Sequence, residues 1–195
     1  MILGHDELVK ALGVTKEIQF SSMPDPNEDT KAFKQWCKSH VGAASIDIPI
    51  GNTLYTQTTV MTLPGSQSMF SGVENREHID PHVDNAQTHL TQLTIDNPVL
   101  GPGHSVTVVS EGIITLGKVW AQLLPRLTAL RWGIQVAPGL IEPFYEGPLY
   151  MTLTNTGFKG IHLKSGTAYA QLAFSPIENA KETGKKMITP YPKNL

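Results

Sequence analysis

The residues best suited to chemistry in this sequence lie in one stretch near the C-terminus, from Leu124 to Phe174. Glu142 stands there between apolar neighbours, and Arg126 and Arg131 precede it. A guanidinium group binds phosphate through two parallel hydrogen bonds, so arginines and a carboxylate on a rigid β framework indicate a phosphate-bearing ligand. The stretch therefore predicts a binding site for a phosphorylated molecule.

Strands must position these residues, because hydrophobic side chains recur at every second position through much of the chain. Strands are predicted within residues 44–48, 53–63, 105–116, 149–155, 161–163 and 168–174. Gly51-Asn52 and Lys164-Ser165-Gly166 are turn signals. Residues 118–124 fit either a strand or a helical turn, and residues 139–147 predict a hairpin.

Two short helices are predicted ahead of the strands. The first lies within residues 1–13 and ends at Gly13, and the second runs from Thr30, as its cap, to about Lys38. The predicted strands do not alternate with helices, as they would in βαβ units. The sequence therefore predicts a mostly β protein, an antiparallel sandwich or barrel with short N-terminal helices.

The length of 195 residues fits a single domain, 1–195, with a helical part at residues 1–40 and a polar tail at residues 176–195. A formal net charge of −2 offers no basic excess for binding duplex nucleic acid. The lone Cys37 excludes an intramolecular disulfide and fits a reducing compartment. We expect no leader peptide and no membrane span, hence a soluble cytoplasmic protein.

A second group of polar residues lies outside the main stretch, at His78, Asp80, His82 and His89. Their spacing matches no familiar zinc pattern, so the prediction is a solvated loop. Cys37 has no histidine in a context that would form a nucleophilic pair, and we expect its side chain to be buried.

Six motifs resemble those of the dCTP deaminase and dUTPase superfamily and keep the family's order along most of the chain. They are residues 1–12, 42–52, 100–103, 125–133, 139–147 and 166–172. The resemblance implies a dUTPase-like fold, which is a distorted antiparallel β-barrel or jelly roll with short N-terminal helices. It further implies a homotrimer whose sites lie between subunits. It also implies a pyrimidine deoxynucleoside triphosphate as ligand, with Mg²⁺ bound through the phosphates and not directly by the protein.

The resemblance assigns roles to single residues. Glu142 takes the place of an aspartate that activates water on the α-phosphate, while Arg126 and Arg131 bind phosphates. The other predicted binding residues are Thr128 for a phosphate oxygen, Gly139 and Ile141 in the pyrimidine hairpin, Tyr145 against the deoxyribose, and Gln171 for a water or an arginine. Structural alternatives stay open for these residues: a turn carboxylate, interface ion pairs, a surface hydroxyl or glutamine, and aromatic core filling. Asp47 is predicted to be a structural carboxylate at a subunit contact.

The sequence departs from the family pattern at positions that bear on the chemistry. Leu127 stands where the deaminases have a catalytic serine, and Thr152 stands where they have the glutamate that moves protons. Threonine cannot carry a proton at pH 7. The Gly-rich C-terminal arm that closes over dUTPase sites has no counterpart in this sequence.

The favoured function is Mg-assisted hydrolysis of dUTP, or a related dNTP, to the monophosphate, with Glu142 activating the water. Two alternatives stay open. One is a dCTP deaminase with non-standard catalytic residues, and the other is a non-catalytic trimer acting as a nucleotide-binding regulatory or assembly protein. Glu142, Arg126 and Gln171 favour the enzyme, whereas Leu127 and Thr152 favour the non-catalytic protein.

Overall fold

The computed structural model describes residues 2–57, 90–94 and 98–181. The predicted histidine-rich loop and the last part of the predicted tail lie outside these residues. Within them the helices are α1 (His5–Gly13), α2 (Thr30–His40) and α3 (Leu127–Arg131). The strands are β1 (Ile18–Phe20), β2 (Ile46–Gln57), β3 (Leu90–Thr94), β4 (Val99–Leu100), β5 (Ser105–Ser110), β6 (Ile114–Leu116), β7 (Val119–Pro125), β8 (Ile134–Val136), β9 (Gly139–Ile141), β10 (Glu146–Gly147), β11 (Tyr150–Asn155), β12 (Ile161–His162) and β13 (Ala168–Pro176).

The largest sheet is antiparallel and has the strand order β8-β11-β5-β2-β13-β7-β9, with β3 added to β2. Its two edge strands, β8 and β9, follow one another in sequence with Ala137 and Pro138 between them. The gap from Val136 to Gly139 is therefore at most about 11 Å. The two edges must meet, so the sheet curls into a barrel, as the sequence predicts.

Alternating burial shows how the sequence builds the barrel. In β5 and β11 every second side chain is buried. Two smaller sheets, β1-β6-β10 and β12-β4, flank the large sheet. The largest fully buried side chains are Phe174, Leu8, Leu12, Ile18, Ile46, Ile48, Ile50, Leu54, Leu100, Ile114, Ile134 and Met151. They come from both halves of the chain, so the described residues share one core.

The N-terminal helices form where the sequence predicts them, with a different cap on the second. Asp29, and not Thr30, caps α2, because its carboxylate accepts a hydrogen bond from the Ala32 N–H at 2.8 Å. The part predicted to be helical, residues 1–40, also contains β1. Cys37 is buried, as predicted, and burial raises the pKa of its thiol.

Two of the predicted turns are wrong. Gly51-Asn52 lies inside β2, which continues through it with a shift of register between Ile50 and Leu54. A Cβ on Gly51 would lie 3.2 Å from the Ser110 carbonyl oxygen, so glycine serves a close backbone approach there. The predicted hairpin at residues 139–147 is also absent, because β9 pairs with β7 and β10 pairs with β6.

Candidate functional site

A polar network joins β2, β7 and β13 at the end of the barrel where α3 begins. Arg126 follows β7 directly, and its Nη2 lies 3.0 Å from Asp47 Oδ2. Its Nη1 donates a hydrogen bond to the Ala168 carbonyl oxygen at 3.2 Å. Gln171 on β13 is the cross-strand partner of Asp47 on β2. The fold thus brings together Arg126 and Gln171, two of the predicted binding residues.

The amide of Gln171 is oriented by its neighbours. Ser45 Oγ donates to Gln171 Oε1 at 3.0 Å, and Gln171 Nε2 lies 3.5 Å from the Pro125 carbonyl oxygen. The side chain is partly buried beside the Asp47–Arg126 pair. Gln171 is therefore a fixed part of the network and not a free surface glutamine.

Two opposing effects act on the Asp47 carboxyl. Burial is the larger effect and raises the pKa of Asp47, whereas the charges of Arg126 and His40 lower it. The 3.0 Å distance to Arg126 is that of an ion pair, so the contact offsets part of the cost of burying the carboxylate. Asp47 was predicted to lie at a subunit contact; within one chain it already has a partner in Arg126.

His40 belongs to this region although the sequence analysis did not single it out. It is the last residue of α2, and its ring stacks on Trp36 with 4.4 Å between centroids. His40 Nδ1 lies 2.9 Å from the Trp36 carbonyl oxygen and 2.8 Å from Ser39 Oγ. The charge of His40 acts on Asp47. In the sequence, the only sign of this role is that His40 lies close to the C-terminal end of a predicted helix, just before the strand of Asp47.

The short helix α3 carries two further predicted binding residues, Thr128 and Arg131, and both are exposed. Ala129 faces the core, and Leu127 is 63% exposed. This helix was not among the predicted elements. Two features of the sequence indicate α3. Good helix formers follow Pro125, and Gly133 lies just beyond the end of the helix, where the backbone has a positive φ of 82°.

Glu142 is exposed and follows β9 directly. Ile141 pairs with Ala121, so Glu142 lies alongside Trp120 on β7. Arg126 lies six residues beyond Trp120, just past the end of β7, and is therefore about 20 Å away at about 3.3 Å per residue. One chain therefore does not bring the predicted general base to the predicted phosphate-binding arginine.

The turn after Glu142 is tightly held. Phe144 adopts a φ of 62°, which is unusual for a large side chain. Its N–H donates to the Gly117 carbonyl oxygen at 3.1 Å, and the Tyr145 carbonyl oxygen accepts from the Leu116 N–H at 2.9 Å. These bonds fasten the turn to the β6–β7 connection and hold the strained backbone next to Glu142.

The predicted pyrimidine-binding residues differ in their surroundings. Gly139 pairs with Leu123 at the start of β9 and is exposed. Ile141 is 8% exposed and packs into the core, so a contact of Ile141 with a pyrimidine stays a prediction. Leu140, which the sequence analysis passed over, is the exposed apolar side chain of this strand, at 66%.

Tyr145 is partly buried against the core, and its hydroxyl donates to the Pro148 carbonyl oxygen at 2.5 Å. Burial is the main cause that raises the pKa of its hydroxyl, and Tyr150 adds to it. This environment supports the structural interpretation of Tyr145, while a contact of its ring with a deoxyribose stays a prediction.

Thr152 lies on a sheet surface lined with hydroxyl groups. Its Oγ1 is 3.2 Å from Thr107 Oγ1, and Ser105 Oγ is 2.7 Å from Thr154 Oγ1. The strands that carry these residues, β5 and β11, contain no carboxylate, imidazole or amine. Neither strand offers a group that could carry a proton for deamination at neutral pH.

In the described part of the chain, no group of three or more His, Cys, Asp or Glu side chains could hold a metal ion. The described helices are all too short or too polar to cross a membrane.

The fold and these motifs place the chain in a class of β-barrel proteins. Within this class, its sequence matches one family. The model of the dCTP deaminase-like family matches residues 27–177. The chain therefore belongs to the dCTP deaminase-like family, within the dCTP deaminase and dUTPase superfamily.

One solved structure shows the same fold. The 2'-deoxycytidine 5'-triphosphate deaminase from Agrobacterium tumefaciens aligns at 18% identity with a TM-score of 0.55, over 89% of this chain and 47% of that chain. This chain thus spans about half the length of that deaminase, and the match shows the fold alone.

Two dUTPase structures are more distant. The EIAV dUTPase aligns at 15% identity with a TM-score of 0.39, over 54% of this chain and 88% of that chain. A mutant dUTPase from phage phi11 of S. aureus, described as coordinating a structural Mg(II) ion, aligns at 14% identity with a TM-score of 0.38, over 55% of this chain and 87% of that chain.

Proposed function

We propose that this protein acts in pyrimidine deoxynucleotide metabolism and hydrolyses dUTP, or a related dNTP, to the monophosphate and diphosphate. The observation that carries the proposal is the Arg126–Asp47–Gln171 network. Two contacts fix the guanidinium of Arg126, and about a third of its side chain stays exposed, at 36%. Guanidinium has five N–H donors, so a fixed and partly exposed one is ready to bind a phosphate.

The active unit in this proposal is a homotrimer. Glu142 and Arg126 lie about 20 Å apart along β7, so a site that uses both needs a second copy of the chain. Exposed Leu127 and Leu140 lie near these two residues in sequence and would become covered in such an assembly.

Glu142 acts as the general base in this proposal. Its carboxylate takes a proton from a water molecule, and the oxygen of that water forms a bond to the α-phosphorus. The bond from the α-phosphorus to the bridging oxygen breaks, and the electron pair leaves with the diphosphate. Arg126 and Arg131 donate hydrogen bonds to the phosphate oxygens, and the Thr128 hydroxyl donates another.

The carboxylates in the described part of the chain do not form a cage for a metal, and Asp47 is already paired with Arg126. These residues fit a Mg²⁺ ion that arrives on the triphosphate and keeps phosphate and water ligands. Bound in this way, the ion spreads the negative charge that develops on the phosphate oxygens.

A non-catalytic nucleotide-binding trimer is the second candidate. It is favoured by Leu127, which offers no hydroxyl, and by Thr152, whose hydroxyl lies against Thr107. The third candidate, a dCTP deaminase with non-standard residues, would have to find a proton carrier outside β5 and β11. In all three cases we propose a single cytoplasmic domain, 1–195, with a tail at residues 176–195.

A nucleotide panel tests the proposal. Wild-type protein is incubated with Mg²⁺ and dCTP, dUTP or dTTP, and the products are separated by chromatography. We expect dUTP to give dUMP, and Glu142→Gln to lower the rate by about 100-fold or more because the general base is lost. Glu111→Gln, another exposed carboxylate, is the matched control and leaves the rate unchanged.

The other outcomes separate the candidates. Conversion of dCTP to dUTP would show a deaminase and overturn the hydrolase proposal. Nucleotide binding by calorimetry without turnover, in a trimer, would support the non-catalytic protein.

A further inference from the structure

Two exposed aromatic side chains lie on turns that touch each other. Trp132, just after α3, is 56% exposed, and Phe158, after β11, is 100% exposed. The turns meet at two glycines, because a Cβ on Gly133 would lie only 2.9 Å from Gly157 Cα. We call Arg131, Trp132, Phe158 and Lys159 the aromatic–cation surface.

The turn that carries Phe158 is ordered by a buried side chain. Asn155 is 0% exposed, and its Nδ2 donates to the carbonyl oxygens of Leu100 and Lys159, both at 2.8 Å. Its Oδ1 accepts from the Gly157 N–H at 2.9 Å. Phe158 is therefore displayed on a fixed backbone, which lowers the entropy cost of binding a partner.

The described segments around this surface carry positive charge. The segments packed at this end, residues 98–105, 131–136 and 154–162, contain no Asp or Glu, although the whole chain has a net charge of −2. In the described part of the chain neither Arg131 nor Lys159 forms an ion pair. An anionic partner fits this end of the molecule.

The order of the side chains along the chain indicates which kind of anionic partner fits this surface. Each aromatic residue is the sequence neighbour of a cation, as Arg131-Trp132 and as Phe158-Lys159. A flat ring beside a positive charge matches a base and its phosphate, the repeating unit of a single strand. We propose that the aromatic–cation surface binds single-stranded nucleic acid, with bases stacked on Trp132 and Phe158 and phosphates on Arg131 and Lys159.

A bilayer is a poorer partner for this surface. The residues beside Phe158 and Lys159 are Gly157 and Gly160, which add almost no apolar area. Peripheral membrane binding needs more buried apolar surface, or a second anchor. Duplex nucleic acid is also a poorer partner, because its bases are stacked on one another and closed to the two rings.

The test is fluorescence anisotropy of the full chain with a labelled oligo-dT and with a duplex of the same length. We expect binding to the single strand, with a slope of log K against log salt of about −1.4 for two neutralised phosphates. Phe158→Ala should weaken binding about 5- to 150-fold, the range measured for loss of one stacked base. Lys159→Gln should reduce the slope by about 0.7.

Controls use the same kinds of side chain elsewhere. Ile113→Ala removes another exposed apolar side chain, and Lys31→Gln removes a cation on α2. Both should leave binding unchanged. Phe158 is fully exposed, so Phe158→Ala should keep its circular dichroism spectrum, its oligomeric state and its nucleotide turnover.

Several results would overturn the proposal. These are no binding to oligo-dT, equal losses in the controls, tighter binding to the duplex, and Phe158-dependent sedimentation with anionic vesicles. A change of oligomeric state in Phe158→Ala would assign the surface to an interface between copies. Arg131 is also assigned to the triphosphate, so it stays unchanged in these experiments. Oligo-dT binding without dUTP turnover would overturn the hydrolase proposal alone, and dUTP turnover without oligo-dT binding would overturn this one alone.

Discussion

The Arg126 network and the Glu142 turn are both predicted parts of one site, yet they are built differently. Arg126 is held inside one chain by an ion pair with Asp47 and by a hydrogen bond to the Ala168 carbonyl oxygen. Glu142 is exposed at the edge of the sheet, after a strand of three residues and before the strained Phe144. The contacts of Arg126 are thus made within a single chain, whereas the described part of the chain brings no arginine of the proposed site to Glu142.

If the proposed function is correct, phosphate binding depends on the fold of one chain, whereas hydrolysis depends on the assembly of several chains. In the proposed function, a single chain holds the guanidinium of Arg126 in place for a phosphate. The encounter of Arg126 with Glu142 would need assembly, because the strand register separates these two residues. The following predictions test this separation.

The largest effect is expected from mixing two inactive variants. If the site combines Glu142 of one copy with Arg126 of another, co-refolded Glu142→Gln and Arg126→Ala chains regain activity. At equal amounts, about one site in four of a cyclic trimer has both native residues. The measurement is dUTP turnover before and after co-refolding. No recovery, in trimers that sizing shows to be mixed, would contradict a shared site.

Arg126→Ala should also weaken the fold. The change leaves the Asp47 carboxylate partly buried without its partner, and the pair is neither fully buried nor fully exposed. We expect the free energy of unfolding to fall by about 1–3 kcal/mol, between the values for surface and buried pairs. Urea unfolding measures it. In the double variant with Asp47→Asn much of the loss should return, and an additive loss would show that the two residues are not coupled.

Asp47 should give the network a pH dependence of a definite sign. Burial raises the folded-state pKa of Asp47 above its ordinary value of 3.8, so ionisation costs stability in the folded state. The contribution of Asp47 is therefore most favourable below pH 3.8 and declines as the pH rises through the folded pKa.

Comparison with Asp47→Asn isolates this effect from the other carboxylates. The stability difference, wild type minus variant, should decrease as the pH rises from about 3.5 to 6. Urea unfolding across this range checks the prediction. A difference that grows with pH would mean that Arg126 and His40 outweigh burial.

The smallest effect is expected on the hydroxyl-lined sheet. Thr152→Val alone leaves the Thr107 hydroxyl without its partner and should cost about 1 kcal/mol. Changing both residues to valine removes both hydroxyls at similar shape and should be nearly neutral. Thermal unfolding compares the single and double variants. If nucleotide affinity fell in either, this sheet surface would belong to the site.

The sequence predicted the barrel well because alternating burial is a local property. Val106 and Val108, for example, face the core as their spacing requires. The prediction from the sequence failed where tertiary contacts determine which way a side chain faces. Strict alternation along residues 168–174 would place Tyr169 on the face opposite Ala168 and Ala170, but the strand register is irregular between these two alanines, and Tyr169 is 2% exposed.

The candidate site shows the same limit. Motifs indicated Arg126 and Gln171, which the fold does bring together. They could not show that Asp47 is the partner of Arg126, because the two residues are far apart in sequence and meet through β13. The distance between Glu142 and Arg126 depends on the β7–β9 register, which no local pattern contains.

The length of β2 has a consequence for biosynthesis. Ile46 to Pro49 pair with β13, at residues 168–172, while the other half of β2 pairs with β3 and β5. During translation β2 therefore leaves the ribosome long before its C-terminal partner exists. Until β13 arrives, one edge of β2 offers open hydrogen-bonding groups to any other nascent chain. The barrel can close only after residues 170–172 of β13 have been made. Truncation ahead of these residues should therefore yield an aggregating chain and not a smaller barrel.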